Sequence, residues 1–251
     1  MKVLVQIILL LTLVCCKSTE EDMNYGLSHY KMGLYNHAIP SLLSATPELE
    51  KTDPYDSRVT QAYLALGTMA QADKIYDKSE QFYLKALSSA ETLKANKALH
   101  LRNIKNTLGN FYISRKSFEK ALPLLKSAVA LSQDMNSDSI FKAIDLDNLA
   151  LVYTELGKLK ESIELSVQAL DLIENSKEHK LYDRTKGIVL YNHGKNIEKF
   201  DLFEKALDSY EQSIKSLKIH ATNKSHENWR VELVEKAKSD LIANHNAKNK
   251  I

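Results

Sequence analysis

Side chains able to hold another chain by its backbone recur at one register of this sequence. Asn24, Asn148 and Asn192 each stand two residues before a small residue, Gly26, Ala150 and Gly194, with Ala65 and Thr107 at the equivalent places. Asn103, Asn106 and Asn110 are spaced to share one face of a helix. An asparagine amide offers two donors and an acceptor, which match the N–H and C=O of an extended peptide without reading its sequence. Lys195, Lys199, Tyr191 and Tyr30 add charge and aromatic surface to the set. The alternative is that these asparagines are simply solvent-compatible residues on helix surfaces, and the sequence leaves both readings open.

Other chemistry finds little support. The eight histidines, His29, His37, His100, His179, His193, His220, His226 and His245, have no i, i+4 histidine partner, so no local metal site is expected. Among them His29 and His193 are expected at helix seams, each satisfied by a hydrogen bond. Acidic neighbours such as Glu20 with Glu21, and Asp145 with Asp147, read as solvated faces rather than acid–base dyads. A Gly-rich phosphate loop and a His-Glu-x-x-His motif are both missing. The expectation is a non-enzyme with no cofactor and no metal. A formal charge of +2, with acids and bases interspersed, leaves no basic footprint for nucleic acid.

The only two cysteines, Cys15 and Cys16, are adjacent and do not form an ordinary loop-closing disulfide. They follow a basic start, Met1-Lys2, and an apolar run from Val3 to Val14 that is too short to span about 30 Å of hydrocarbon as a helix. A cleaved export signal over 1–15 is the expectation. Leu13-Val14-Cys15-Cys16 resembles a bacterial lipobox, which implies lipidation of Cys16, a polar tether over 16–22, and attachment to the outer membrane. The alternative is an ordinary secretory signal and a secreted protein.

The elements that would position the asparagines follow from five columns. Gly26, Gly67, Gly109, Ala150 and Gly194 are spaced 41, 42, 41 and 44 apart. Nine residues after each comes a large apolar residue, Tyr35, Tyr76, Phe118, Leu159 or Phe203. Twelve after comes Ala38, Ser79, Ala121, Ser162 or Ala206, and nineteen after comes Ala45, Ala86, Ala128, Ala169 or Ser213. Small residues in register let helices approach closely, and a fixed period of this length marks stacked units. Expected helix pairs are 21–32 with 36–49, 57–73 with 77–94, 97–114 with 117–134, 139–156 with 159–174, and 180–199 with 203–218. An amphipathic helix at about 227–244 would cover the exposed end, with Trp229 packed at the seam.

Asn148-Leu149-Ala150-Leu151-Val152-Tyr153 and Leu156-Gly157-Lys158-Leu159 resemble the first helix and turn of a tetratricopeptide repeat. Ala38-Ile39-Pro40 and Ala121-Leu122-Pro123 resemble the start of its second helix, where a first-turn proline costs no hydrogen bond. The period is similar to the longer variant of kinesin light chains. His29, His193 and Ser166 depart from the family pattern. The resemblance implies an all-α, right-handed solenoid of five repeats over 23–220 with a terminal element at 225–251. It also implies a concave groove, lined by the first helices, that binds an extended segment of another protein. Two roles fit: a scaffold or adaptor at the bacterial cell envelope, or a peptide-sensing regulatory module.

Overall fold

The computed structural model describes residues 18–135, 137–221 and 228–248. Among them are eleven α-helices and no strand: α1 Thr19–Lys31, α2 Tyr35–Thr52, α3 Ser57–Ala72, α4 Tyr76–Thr92, α5 Lys97–Ser114, α6 Phe118–Asp134, α7 Ser139–Glu155, α8 Leu159–Glu174, α9 Tyr182–Glu198, α10 Phe203–Ala221 and α11 Asn228–Lys248. Consecutive helices form five helix-turn-helix pairs, and α11 packs on α10. This is the all-α repeat fold read from the columns. The large apolar column supplies the first residue of every second helix.

Two compact units divide the chain, one ending at Ile104 and the other starting at Lys105, so the division falls within α5. In the first unit, Met23 and Leu27 of α1, Leu42 and Leu49 of α2, Val59, Tyr63 and Met69 of α3, and Ala86 and Ala90 of α4 form a buried core. In the second, Ile140, Leu146, Ile173 and Val189 join α7, α8 and α9. A further cluster joins Tyr210 and Leu217 of α10 to Val231, Val234 and Leu241 of α11.

The small column works as expected, and its partner is now visible. A Cβ on Gly26 would lie 2.7 Å from Leu42, on Gly67 2.6 Å from Tyr83, on Gly109 2.6 Å from Leu125, and on Gly194 2.8 Å from Tyr210. The backbone of each first helix thus touches a large side chain sixteen residues on. In the fourth pair both members change together: the small residue is Ala150 and its counterpart is Ser166. Ser166 Oγ lies 2.6 Å from His193 Nδ1 of α9, so one departure from the family pattern accommodates the other. The Ala/Ser column also has a reason. Ser79 Oγ donates to the Gly67 carbonyl and Ser162 Oγ to that of Ala150, each at 2.8 Å.

A further column sits in the tight turns. Gly33, Lys74, Lys116, Gly157 and Asp201, each seven residues after the small position, all have φ between 55° and 75°. This left-handed residue lets the next N–H reach back to the helix, as in Leu34 to His29, Ile75 to Ala70, Ser117 to Tyr112 and Lys158 to Tyr153, all at 2.8 Å.

Three expectations change. Thr19 to Asp22 are the first turn of α1 rather than tether. The Ser18 side chain accepts from the Glu21 N–H while the Glu21 carboxylate accepts from the Ser18 N–H, and three acids in that turn suit the helix N-terminus. Pro40 and Pro123 lie inside α2 and α6, each at the sixth residue, rather than in the first turn. Each removes the i to i−4 bond of one carbonyl, on Asn36 and Glu119, and both of those residues are exposed. Trp229 is 54% exposed, with the Arg230 guanidinium 4.5 Å above its ring. It stands two residues, about 200° of helical rotation, from Val231, which takes the buried side of α11.

The glycine contacts give a test. Gly109→Ala should lower unfolding stability by roughly 1–3 kcal/mol, because the added methyl must displace Leu125 from a packed seam. Ala150→Gly should cost about 2 kcal/mol, the helix-propensity difference plus one buried methyl lost opposite Ser166. Urea unfolding followed by circular dichroism measures both, and a Gly109→Ala protein as stable as the wild type would mean that Leu125 yields without strain.

Candidate functional site

The structure gathers four of the six candidate asparagines on the first helices of the second unit. Asn106 and Asn110 stand on α5, Asn148 on α7 and Asn192 on α9. They do not simply face water. Asn106 Nδ2 donates to Asp145 Oδ1, and Asn106 Oδ1 accepts from Asn110 Nδ2 at 3.0 Å and Asn148 Nδ2 at 3.2 Å. Asn192 Nδ2 donates to Asp147 Oδ2 at 2.8 Å. Asp145 and Asp147, two apart on α7, point to opposite sides of that helix, one toward α5 and the other toward α9. Together they fasten three successive first helices to one another.

Both carboxylates contradict the solvated-face expectation, since Asp145 is fully buried and Asp147 is 3% exposed. A signal existed in the columns. Five residues before the small position stand Glu21, Ala62, Ile104, Asp145 and Val189; Glu21 is in the exposed first turn of the terminal helix, and the three apolar members are buried. An aspartate at a core register marks a buried partner rather than a wetted surface. Asp147 is the unusual member: Oδ2 is bonded to Asn192, whereas Oδ1 has no hydrogen-bond partner among the described residues. Burial pushes its carboxyl up to about 7, and the Asn192 bond offsets only part of that rise.

Each network amide keeps capacity to spare. Asn110, Asn148 and Asn192 use Nδ2 inside the network and leave Oδ1 without a bond among the described residues. The network therefore fixes three half-buried amides with their acceptor oxygens open. The remaining candidates lie apart from it. Asn24 is exposed on α1 in the first unit, where its Oδ1 accepts from Arg58 at 3.3 Å. Lys195 lies over the Tyr191 ring at 5.7 Å, and Lys199, just past the end of α9, stands 4.0 Å from Glu155. Tyr30 packs on Tyr35 at 5.8 Å between ring centres. Cys16 lies outside the described residues.

The two seam histidines each have a partner. His29 Nδ1 lies 2.8 Å from the Tyr25 carbonyl, and His193 reaches Ser166, with burial lowering its basicity. A second buried cluster joins α7, α8 and α9: Asn196 Nδ2 donates to Ser162 at 2.9 Å, and Asn196 Oδ1 accepts from Thr154 at 2.5 Å. Among the described residues no group of three or more His, Cys, Asp or Glu is placed to hold a metal ion, and no helix is long and apolar enough to cross a membrane.

Asp147 sets a pH dependence whose sign is fixed. In the unfolded chain it releases its proton near the ordinary 3.8, whereas in the fold it keeps the proton to about 7. Stability should therefore fall as pH rises from about 4 to 7 and then level off, by up to roughly 4 kcal/mol at 1.36 kcal/mol per unit. Asp147→Asn should abolish that component, so the variant gains on the wild type across this window in urea titrations. A constant difference between the two proteins from pH 4 to 8 would show that Asp147 titrates normally.

A tetratricopeptide-repeat family model matches residues 100–175. Comparison with curated proteins gives no match. Solved structures with the same fold include the apo form of RapI, at TM-score 0.69 and 17% identity over 90% of this chain and 84% of that one. A putative kinesin light chain from Podospora anserina with nearly identical TPR-like repeats is similar at TM-score 0.60 and 16% identity, over 82% of this chain and 96% of its own. YrrB, a TPR protein, is similar at TM-score 0.53 and 16% identity, over 82% and 92%. Residues 100–175 thus match a tetratricopeptide-repeat model, and the helix-pair fold is shared with solved proteins described as carrying such repeats.

Proposed function

We propose that this protein is a non-catalytic scaffold that binds an extended segment of another protein along the first helices α5, α7 and α9. The observation that carries this reading is the set of open acceptors on Asn110, Asn148 and Asn192, each held in place by the bond its own Nδ2 makes. Amides fixed before binding lose little side-chain entropy on binding, so each bond to a partner N–H keeps more of its strength. The fold is compatible with such a role: YrrB, which shares it, is described as having an unusual peptide-binding site.

The network changes which residues test the idea. Asn192→Ala would strip from a buried carboxyl its one hydrogen-bond partner among the described residues and disturb the fold itself. Asn110→Ala with Asn148→Ala removes two open acceptors and leaves the Asp145 and Asp147 bonds in place. Peptides selected from a displayed random library on the full chain should bind this double variant about tenfold more weakly, with circular dichroism unchanged. Undiminished affinity in the folded variant would place the binding face elsewhere.

The same scaffold is proposed to work at the bacterial cell envelope, held by lipid on Cys16. The short apolar run ending at Leu13-Val14-Cys15-Cys16 motivates this, and α1 begins only three residues later, at Thr19. The repeats would then stand close to the membrane surface. Metabolic labelling with a clickable fatty acid should mark the wild type and spare Cys16→Ser; equal labelling would remove the anchor.

A further inference from the structure

The first unit carries an open apolar groove between α2, α3 and α4, with a volume of about 370 Å³. Leu66 and Met69 are its buried lining, Ile39 and Phe82 are partly buried beside them, and Leu43 and Ile75 are half exposed. Two charges flank it. Asp73 caps the carboxyl end of α3, and Lys78 lies in the first turn of α4. Neither side chain has an ion-pair or hydrogen-bond partner among the described residues. An acid at a helix C-terminus and a base in a first turn each stand at the unfavourable end of the helix dipole.

The terminal helix α11 presents the opposite arrangement. Trp229 and Leu233, four apart on one face, are the one pair of exposed large apolar side chains at that spacing on a helix among the described residues. They stand at the start of α11, where Arg230 lies over the Trp229 ring and no acid occupies the first turn. Here a base stands at a helix N-terminus, again the unfavourable end. The exposed Glu232 beside Leu233 has no partner among the described residues.

We propose that Trp229 and Leu233 of one copy of the chain seat in the α2–α4 groove of a second copy. The groove is at the lower end of the size range that takes up a compact ligand, which suits one indole with one aliphatic side chain. A tryptophan flanked by an arginine is also the kind of anchor that dominates pocketed contacts. In this pose the start of α11, with Arg230, meets the end of α3, with Asp73, and Glu232 comes toward Lys78. Charges poorly placed or idle within one copy become two complementary pairs between copies. Knob and groove are different surfaces, so the contact is head-to-tail and each copy still has one of each to offer. An aromatic side chain buries about 150–250 Å². That is well short of the about 1,200–2,000 Å² of a stable interface, so association is reversible and concentration-dependent.

The test mixes two variants of the full chain, each with one half of the contact intact. Trp229→Ala keeps the groove, and Ile75→Asp keeps the knob. Trp229 is the only tryptophan, so its emission reports the contact directly. In sedimentation velocity the wild type should associate as its concentration rises, with a blue shift of the emission as the indole leaves water. Each variant alone should lose at least tenfold in association. Adding the tryptophan-free Trp229→Ala chain to Ile75→Asp should restore association and shift the Ile75→Asp emission to the blue. Both substitutions fall on exposed side chains, and circular dichroism checks the fold; if Ile75→Asp misfolds, Leu43→Asp makes the same lesion from α2. A wild type that stays monomeric at every concentration would overturn the proposal. So would variants that associate as strongly as the wild type, which would place the interface elsewhere. Variants that each lose association but do not complement one another in the mixture would overturn it as well, by showing that knob and groove do not meet.

Discussion

Four of the five pairs depend on one contact, the closest approach between their two helices. Where Gly26, Gly67, Gly109 and Gly194 stand, the backbone of the first helix lies against a leucine or tyrosine of the second, with no room for a Cβ. That contact fixes the distance and rotation of the two helices, and the turn residue in the left-handed region closes the pair at the same offset each time. Given rigid pairs, the apolar residues at the remaining core registers meet their neighbours, and burial of that surface supplies most of the stability.

Polar contacts do a different job. Packing of first helix on first helix is only weakly directional, since apolar surfaces slide over one another at small cost. Asp145 and Asp147 remove that freedom in the second unit, because each fits only the amide placed opposite it on α5 or α9. Burying two acids is costly, and Asp147 shows the cost openly in its retained proton. The same bonds hold three amides whose oxygens have no bond among the described residues, and these are the groups on which the proposed binding role rests.

The fold was legible because its columns are made of size, and size is what repeats. Helix boundaries, the pairing and the covering role of Val231, Val234 and Leu241 all follow from spacing. The left-handed turn position was hidden because Gly33 and Gly157 alternate with Lys74, Lys116 and Asp201, so no single residue type advertises it. Asp145 and Asp147 were misread because acids two apart look like a wetted face; comparison with Ile104 and Val189 at the register of Asp145 reveals a core position there, whereas in the same flanking pairs the register of Asp147 holds Asn106 and Tyr191 and gives no such sign. The asparagine row was visible, but not that its members bond inward first. That depends on partners some forty residues away, such as Asn106 with Asn148 at 42 and Asn192 with Asp147 at 45.

The exchange of Gly and a large side chain for Ala150 and Ser166 bears on how such an array can be rearranged over evolutionary time. A crossover that joined α7 to the second helix of another pair would set the Ala150 methyl against a leucine or tyrosine. The reciprocal product would leave a glycine facing a serine across an unfilled gap. Recombination between repeats is therefore tolerated at the connections between pairs and penalised at the tight turns within them. For the third, fourth and fifth pairs even that freedom is curtailed. Shuffling their order would separate Asp145 and Asp147 from their amides, so these three form a single heritable block.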